Sequence, residues 1–156
     1  MKILDFLSKK AITQNLKNTS KEETITELVD LLIDAGEIDK KDRAKIVESL
    51  MAREALGSTA IGHNIGIPHA KLDCVKELVA AFGVSVRGVD FDSLDGEPVY
   101  IFFLLLAPQD SAGPHLKALA RISRLTKDKY FRDSLRQAPD VKAMLKVIAQ
   151  EDDKRI

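Results

Sequence analysis

The nine-residue stretch Val99–Ala107 limits the fold more than any other part of this 156-residue chain. It contains no charged or amide residue, and its side chains are mostly β-branched, aromatic or leucine. Its length and its β-branched and aromatic content favour a strand over a helix, and its unbroken apolar character is typical of a strand buried on both faces. We therefore predict a central strand here, in a sheet that other elements cover on both sides.

Segments with helical periodicity precede and follow this strand. Ser20 opens a Ser-x-x-Glu capping box before a helix that runs from Lys21 to about Ala35, and Gly36 is a typical stop. The other predicted elements are helices at Lys40–Ala55, His115–Leu125, Asp128–Arg136 and from Pro139 to about Gln150, and strands at Leu78–Val86 and within Ala11–Leu16. In the helix after His115, we expect Leu116, Leu119, Ala120 and Ile122 to face inward.

This order of elements predicts the fold class. Helices come first, strands stand in the middle, and helices come last, which is typical of an α/β fold. We expect a single domain over residues 1–156, with a mixed parallel and antiparallel sheet of about five strands and helices on both faces. The residues from about Glu151 onward are mostly charged, and we expect them to form a tail.

Composition narrows the classes of partner and compartment. Lys plus Arg and Asp plus Glu number 24 each, so no net charge favours nucleic acid or an anionic membrane. The single cysteine, Cys74, excludes an internal disulfide and fits a reducing cytoplasm. The N-terminus lacks the apolar region of a signal peptide, and the longest apolar run is too short to cross a bilayer as a helix. We expect a cytoplasmic protein without membrane insertion.

The stretch Gly57–Lys71 contains the most informative candidate for chemistry. Pro68 has a fixed φ and pushes the residue before it towards an extended conformation, so Ile65–Pro68 should be a short, stiff, extended segment. That segment ends by presenting His69. A histidine on a rigid arm suits chemistry at an imidazole nitrogen, although a histidine in a Gly-rich loop is commonly solvated or bonded to backbone.

Two further residues are candidates because of their positions. Arg53 falls near the end of the second predicted helix, where a cation complements the negative end of the helix dipole and also stands close to the histidine stretch in sequence. His115 follows a Gly–Pro turn at a helix start and at the carboxyl end of the predicted central strand, where α/β folds bind ligands. A surface histidine in a loop is the alternative reading of His115.

The sequence lacks the residue patterns that other kinds of metal or catalytic site require. His63 and His69 have no helical spacing and no cysteine pair beside them, which argues against zinc. No phosphate-binding Gly-rich motif and no Gly-x-Ser-x-Gly motif occurs. A nucleophilic Cys74 has no activating signature beside it, so a structural thiol is the favoured reading.

The residues from Arg53 to His69, read together with His115–Leu–Lys–Ala–Leu–Ala, closely resemble the active-site signature of the fructose/mannitol-type (type-2) enzyme IIA domains. These domains are phosphocarriers of the bacterial phosphoenolpyruvate-dependent phosphotransferase system. The early Ser20 helix and the Val99–Pro108 strand also fall where that family has them. The chain departs from the family at His63–Asn64, where Asn–Gly or a similar pair is expected.

The resemblance implies a site and a set of partners. His69 would accept a phosphoryl group from the carrier HPr, through Nε2 by resemblance, and pass it on to an enzyme IIB or use it as a signal towards regulatory target proteins. Arg53 and His115 would stabilise the phosphoryl group, and Gly57, Ser58 and Thr59 would support the phosphate or the loop. No cofactor and no metal is needed, because the donor is already an activated N–P bond.

Three functional readings follow from the resemblance. The chain carries no attached IIB or membrane segment and resembles the nitrogen-regulatory branch in length, so we favour a regulatory phosphocarrier. A sugar-specific transport component of the fructose or mannitol class is the first alternative. A non-catalytic interaction module with the same fold is the second, although both histidines and the arginine are present.

Overall fold

Strand β5 (Val99–Pro108) is the centre of the sheet, as its apolar sequence predicts. The computed structural model describes residues 1–154, and in it every side chain from Ile101 to Ala107 is at most 1% exposed. Strand β4 (Val79–Val89) pairs antiparallel with β5, and β1 (Leu7–Thr13) pairs parallel with β4. On the other side of β5, the short strands β2 (Ile65–Gly66) and β3 (His69–Leu72) both pair parallel with it.

Helices cover both faces of this five-stranded sheet. Helices α1 (Lys21–Asp34) and α2 (Arg43–Ala55) pack on one face through buried leucine and isoleucine side chains. The other face is covered by α3 (Ala112–Leu125), α4 (Lys129–Gln137) and α5 (Val141–Lys154), together with a short 3₁₀ turn at Ile3–Asp5. The prediction of an α/β fold with a mixed sheet of about five strands and helices on both faces is confirmed.

The orientation of α3 differs from the prediction. Leu116 is 69% exposed and Ala120 is also exposed, although both were expected to face inward. The buried stripe of α3 instead contains two polar residues, His115 and Arg121, alongside Ala118, Ile122 and Leu125. The expectation assumed that apolar side chains define the inward face, but here buried polar side chains occupy part of it.

The start of α1 is where the sequence predicts it, but the capping box does not form. Ser20 Oγ donates to Glu23 Oε1 over 2.8 Å instead of accepting a helix amide. The two side chains satisfy each other because the serine hydroxyl finds a charged acceptor within one turn. Gly36 has a φ of 78° just after α1, which confirms its role as the helix stop.

The expected charged tail begins as ordered helix. Helix α5 continues through residues 151–154, and Asp152 is fully buried. The Asp152 carboxylate accepts hydrogen bonds from the amides of Ile3 and Leu4 over 3.0 and 3.2 Å and pairs with Arg121. These partners compensate the buried charge, which is why the helix extends beyond the expected end. Arg155 and Ile156, the last residues of the expected tail, lie outside the described residues.

The N-terminal strand also lies earlier in the chain than expected. Strand β1 occupies Leu7–Thr13, whereas the sequence favoured a strand within Ala11–Leu16.

Among residues 1–154, no helix combines the length and the apolar character that crossing a membrane requires.

Candidate active site

The backbone around His69 is an extended arm held by the central strand. Ile65 and Gly66 pair with β5, and the amide of Leu105 donates to the carbonyl of Pro68 over 2.9 Å. Strand β3 then begins at His69 and continues the parallel pairing with β5. Because the chain is extended on both sides of Pro68, the position of His69 follows from the sheet, as the Ile–Pro–His sequence predicts.

A tight turn before β2 accommodates the unusual pair His63–Asn64. Both residues have positive φ, 60° and 62°, and the amide of Ile65 donates to the carbonyl of Gly62 over 3.3 Å. This is the geometry of a type I′ turn, in which asparagine is favoured and histidine is tolerated. Asn64 Nδ2 also donates to the carbonyl of Pro98 over 2.7 Å, which fixes the turn against the start of β5.

One hydrogen bond sets the protonation pattern of the His69 ring. His69 Nδ1 lies 2.7 Å from the carbonyl oxygen of Ile67. A carbonyl oxygen can only accept, so Nδ1 carries the proton and the lone pair of the neutral ring is on Nε2. Burial is the main cause that lowers the pKa of His69; the charge of Arg53 lowers it further, while the bond to Ile67 and the charge of Glu54 oppose the shift. The ring is therefore neutral at pH 7.

His115 lies against this ring in a buried position. The two ring centroids are 5.4 Å apart and the ring planes cross at 79°. His115 is 6% exposed, and its Nδ1 has no hydrogen-bond partner within residues 1–154. Burial is the main cause that lowers the pKa of His115 to about 4; repulsion from the His69 ring in its protonated form and from the Lys71 ammonium lowers it further. His115 is a neutral imidazole whose buried nitrogen lacks a partner.

The helix that carries His115 starts earlier than predicted. Helix α3 begins at Ala112, so His115 is in its first turn, and the His115 amide donates to the carbonyl of Ser111 over 3.1 Å. His115 therefore contributes its ring to the site, and its amide is used within the helix.

Arg53 reaches the site from the last turn of α2. Its Nη1 donates to the carbonyl of Gly57 over 2.8 Å, and it forms no ion pair with any residue between 1 and 154. The structure thus brings together the three residues that the sequence singles out, His69, His115 and Arg53, around shared cavities.

Glu54 holds the loop below Arg53, a role that the sequence did not indicate. Its side chain is buried, its oxygens accept from the amide and hydroxyl of Thr59, and Lys21 Nζ lies 3.2 Å from Oε1. A glutamate near a helix end normally predicts a solvent-exposed side chain. The nearest local signal was Thr59, a hydroxyl residue five positions further on.

Ser58 and Thr59 have their hydroxyls committed to the protein. Ser58 Oγ donates to the carbonyl of Phe91 and accepts from the amide of Ala60, both over 3.0 Å. The Thr59 hydroxyl donates to Glu54. Of the two roles predicted for Gly57, Ser58 and Thr59, these bonds fit support of the loop, and Gly57 contributes the carbonyl that orients Arg53.

Two concave regions, each about 530 Å³, meet at His69 and Arg53. We call the first the His115 cavity; none of its lining residues, all within the described part of the chain, is Asp or Glu. Its walls are Ser49, Arg53, His69, Ala70, Lys71, Gln109, Ala112, His115 and Leu116. The second, the Ile61 cavity, extends from Arg53 and His69 past Ile61, Ile67 and Asp95 to the C-terminal half of α3.

The remaining candidate residues lie outside this arrangement. His63 is exposed at the far wall of the Ile61 cavity. Cys74 is partly buried, and burial raises the pKa of its thiol, so it stays protonated at neutral pH. Within residues 1–154, no three His, Cys, Asp or Glu side chains converge as a metal site would require.

Known proteins share the sequence and the fold of this chain along most of its length. The family described as "Phosphoenolpyruvate-dependent sugar phosphotransferase system, EIIA 2" matches residues 5–151. A nitrogen regulatory protein of Bradyrhizobium diazoefficiens is 40% identical over 149 residues, which cover 96% of this chain and 95% of that protein. A fructose-specific EIIABC component of Bacillus subtilis is 39% identical over 152 residues, 97% of this chain and 24% of that protein. The crystal structure of the nitrogen regulatory protein IIA-Ntr from Neisseria meningitidis gives a TM-score of 0.83 at 30% identity, covering 92% of this chain and 97% of that one.

Proposed function

The chain belongs to the type-2 enzyme IIA family of the phosphoenolpyruvate-dependent sugar phosphotransferase system, and we propose that it is a phosphocarrier that accepts a phosphoryl group on His69. The donor is an HPr-type carrier protein. The group then passes to a downstream enzyme IIB or serves as a regulatory signal. The observation that carries this proposal is the hydrogen bond from His69 Nδ1 to the carbonyl of Ile67, which leaves Nε2 as a nucleophile. Beside it are Arg53, which has no carboxylate partner within residues 1–154, and His115, whose Nδ1 has no hydrogen-bond partner there.

The transfer step uses the lone pair of His69 Nε2. Nε2 attacks phosphorus, the N–P bond of the donor phosphohistidine breaks, and its electron pair returns to the donor nitrogen. No proton has to leave Nε2, because the ring proton is on Nδ1 and stays hydrogen-bonded to the carbonyl oxygen of Ile67. Burial and the charge of Arg53 lower the pKa of His69, so the ring stays in its nucleophilic neutral form at pH 7.

Arg53 and His115 bind the oxygens of the transferring group. The guanidinium fork of arginine matches phosphate geometry, and the equatorial oxygens of the phosphoryl group carry the charge that develops during transfer. His115 is neutral, and it donates a hydrogen bond from one ring nitrogen. The His115 cavity is lined by His69, His115 and Arg53 together, and we place the phosphoryl group in that cavity.

Partner proteins dock on the apolar rim of the site. Ile65 is only 5% exposed and belongs to the core, so it is not part of this rim. Ile61 and Leu116 are 70% and 69% exposed, and each lines one of the two cavities. Apolar side chains at these positions exclude water from the transfer step when a partner covers them.

We favour the regulatory branch over a sugar-specific component. Support comes from the nitrogen regulatory protein of B. diazoefficiens, which this chain covers nearly end to end. The sugar-specific alternative is supported by the fructose-specific protein of B. subtilis at almost the same identity. The chemistry at His69 is common to both, and an interaction module without phosphotransfer would have no use for a preset Nε2 nucleophile.

The test is transfer of labelled phosphate from phosphoenolpyruvate through enzyme I and HPr. We expect one acid-labile, base-stable phosphoryl group per chain, and none on the His69→Ala variant. His63→Ala is the matched control, because His63 is an exposed histidine of the same loop and should leave labelling unchanged. Labelling of His69→Ala, or no labelling of the unmodified chain, would contradict the proposal.

Two further measurements test which nitrogen is phosphorylated and which branch of the family the chain represents. Nitrogen–phosphorus couplings in ¹⁵N-labelled protein identify the phosphorylated nitrogen, and we expect Nε2. Incubation of the phosphorylated chain with a fructose-class enzyme IIB distinguishes the branches, because rapid transfer to IIB would favour the sugar-specific alternative.

A further inference from the structure

Strand β3 presents a second polar side chain on the same side as His69. Along the strand, Ala70 and Leu72 are buried, whereas His69 is half-buried and Lys71 is exposed. Alternate residues of a strand point to the same face and are about 7 Å apart. Lys71 and His69 therefore stand side by side at the edge of the sheet, and both line the His115 cavity.

Lys71 differs from several other lysines of the chain in having no acidic neighbour. Lys21, Lys45 and Lys129 lie 3.2, 2.5 and 2.7 Å from the carboxylates of Glu54, Asp73 and Asp133. Lys71 forms no hydrogen bond or ion pair within residues 1–154, and the cavity that it lines contains no carboxylate. Its charge is thus free to act on a ligand inside the cavity.

The positive charge of Lys71 affects a buried side chain of the His115 cavity. The ammonium group contributes to lowering the pKa of the buried His115, after burial itself and the charge of His69. A cation that influences His115 across the cavity also attracts an anion placed between them. Arg53 and Lys71 are then two positive groups that line the same cavity as His69, both without a carboxylate partner among the described residues.

We propose that Lys71 binds the phosphoryl group on His69 Nε2 and holds it in the His115 cavity, as a third phosphate-binding side chain beside Arg53 and His115. This inference rests on the proposed function. In the step concerned, the Nε2–P bond forms as the donor N–P bond breaks, and Lys71 keeps its proton throughout. Its ammonium donates to an oxygen of the phosphoryl group bound at Nε2.

The consequence is that Lys71 sets how strongly the chain retains its phosphoryl group. A charge-assisted hydrogen bond at a partly exposed site is worth roughly a factor of 10 in an equilibrium constant. Removing the ammonium therefore shifts the equilibrium with phosphorylated HPr towards unphosphorylated chain by about 10-fold.

The experiment compares Lys71→Met and Lys71→Arg with Lys76→Met. Lys76 is an exposed lysine five positions further along, outside the His115 cavity, and is the matched control. The phosphorylated fraction is measured at equilibrium with known ratios of phosphorylated to free HPr. We expect about a 10-fold lower equilibrium constant for Lys71→Met, recovery towards the original value for Lys71→Arg, and no change for Lys76→Met.

A second readout reports the electrostatics without phosphorylation. NMR titration of the His115 ring should give a higher pKa in Lys71→Met than in the unmodified chain, because a nearby positive charge is removed. An unchanged equilibrium constant in Lys71→Met, with His69 still labelled, overturns the role of Lys71 and leaves the proposed function intact. If the unmodified chain takes up no phosphoryl group, both proposals fail.

Discussion

Helix α3 carries two buried polar side chains, His115 and Arg121, each 6% exposed and six residues apart. Arg121 donates from Nη2 to the carbonyl oxygen of Asp152 over 2.8 Å and to its Oδ1 over 3.1 Å. His115 Nδ1 is buried and has no partner within residues 1–154, and the His115 ring lines a cavity without carboxylates. In the C-terminal half of α3 the buried polar side chain is paired, whereas in the first turn a buried ring nitrogen has no partner.

The difference separates a structural role from a binding role. Burying a polar group without a hydrogen bond costs about 1–3 kcal/mol, so a folded protein normally avoids it. Arg121 and Asp152 avoid it by satisfying each other and by binding the N-terminal turn to α5. At His115 the deficit remains, and the ring lines the cavity in which we place the phosphoryl group.

The largest loss of stability is expected from substitution of Asp152. We expect Asp152→Ala to lower the free energy of unfolding by about 3–5 kcal/mol, because Arg121 loses the carboxylate that balances its buried charge. Denaturant unfolding of Asp153→Ala provides the control. Asp153 is the next residue, but its pair with Lys2 is exposed, so its loss should lower the free energy of unfolding far less than the loss of Asp152. Equal effects of the two substitutions would show that the buried pair has no special weight.

Acid is expected to lower the stability of the folded chain through His115 in the first turn of α3. The pKa of His115 is about 4 in the folded chain and near 6.5 when unfolded, so below pH 6.5 the unfolded chain binds a proton that the folded chain does not. Its contribution to stability is complete above pH 6.5 and is lost progressively as the pH falls towards 4. The loss by pH 4.5 is about 2–3 kcal/mol. We expect His115→Leu to remove this component of the acid sensitivity and to impair phosphoryl transfer.

Unfolding at pH 7.5 and 4.5 measures this component. The difference between His115→Leu and the unmodified chain cancels the other titrating groups. An unchanged acid sensitivity in His115→Leu would mean that the ring is not held neutral by burial. Loss of folding at pH 7.5 would mean that His115 has a structural role, as Arg121 has.

The smallest expected effect concerns the charge of Arg53. Arg53 contributes to lowering the pKa of His69, after burial. We therefore expect Arg53→Met to raise the pKa of His69, because a positive charge that opposes protonation is gone. NMR titration of the His69 ring measures the shift. Arg43→Met is the control, since Arg43 lies at the far end of α2 and pairs with Asp30. A pKa that does not rise would mean that the guanidinium lies too far from His69 to bind the same anion.

The sequence predicted the parts of the molecule that depend on local patterns. The apolar run at Val99–Ala107 is the central strand, and Pro68 places His69 on an extended arm. Both follow from side-chain chemistry within a few residues. The grouping of His69, His115 and Arg53 was expected from the family resemblance, and the structure brings these residues together.

Several of the errors share one physical cause, which is charge compensated by partners distant in the chain. Asp152 is buried because it binds an amide 149 positions away, and Glu54 is buried because it binds Lys21 and Thr59. Periodicity treats acidic residues as solvent-facing, so it placed the end of α5 too early. Arg121 turns inward for the same reason, because Asp152 compensates its charge, while Leu116 on the same helix lies at the surface.

The acceptor for His69 Nδ1 is a main-chain oxygen, and this has a genetic consequence. Any amino acid at position 67 supplies the same carbonyl, so point mutation there cannot delete the bond that orients the imidazole. In the proposed mechanism, the reactive nitrogen is set by the path of the chain from Ile67 to His69, which Pro68 keeps extended. Only an alteration that reroutes this short arm, such as an insertion or a deletion beside Pro68, would exchange the roles of the two nitrogens.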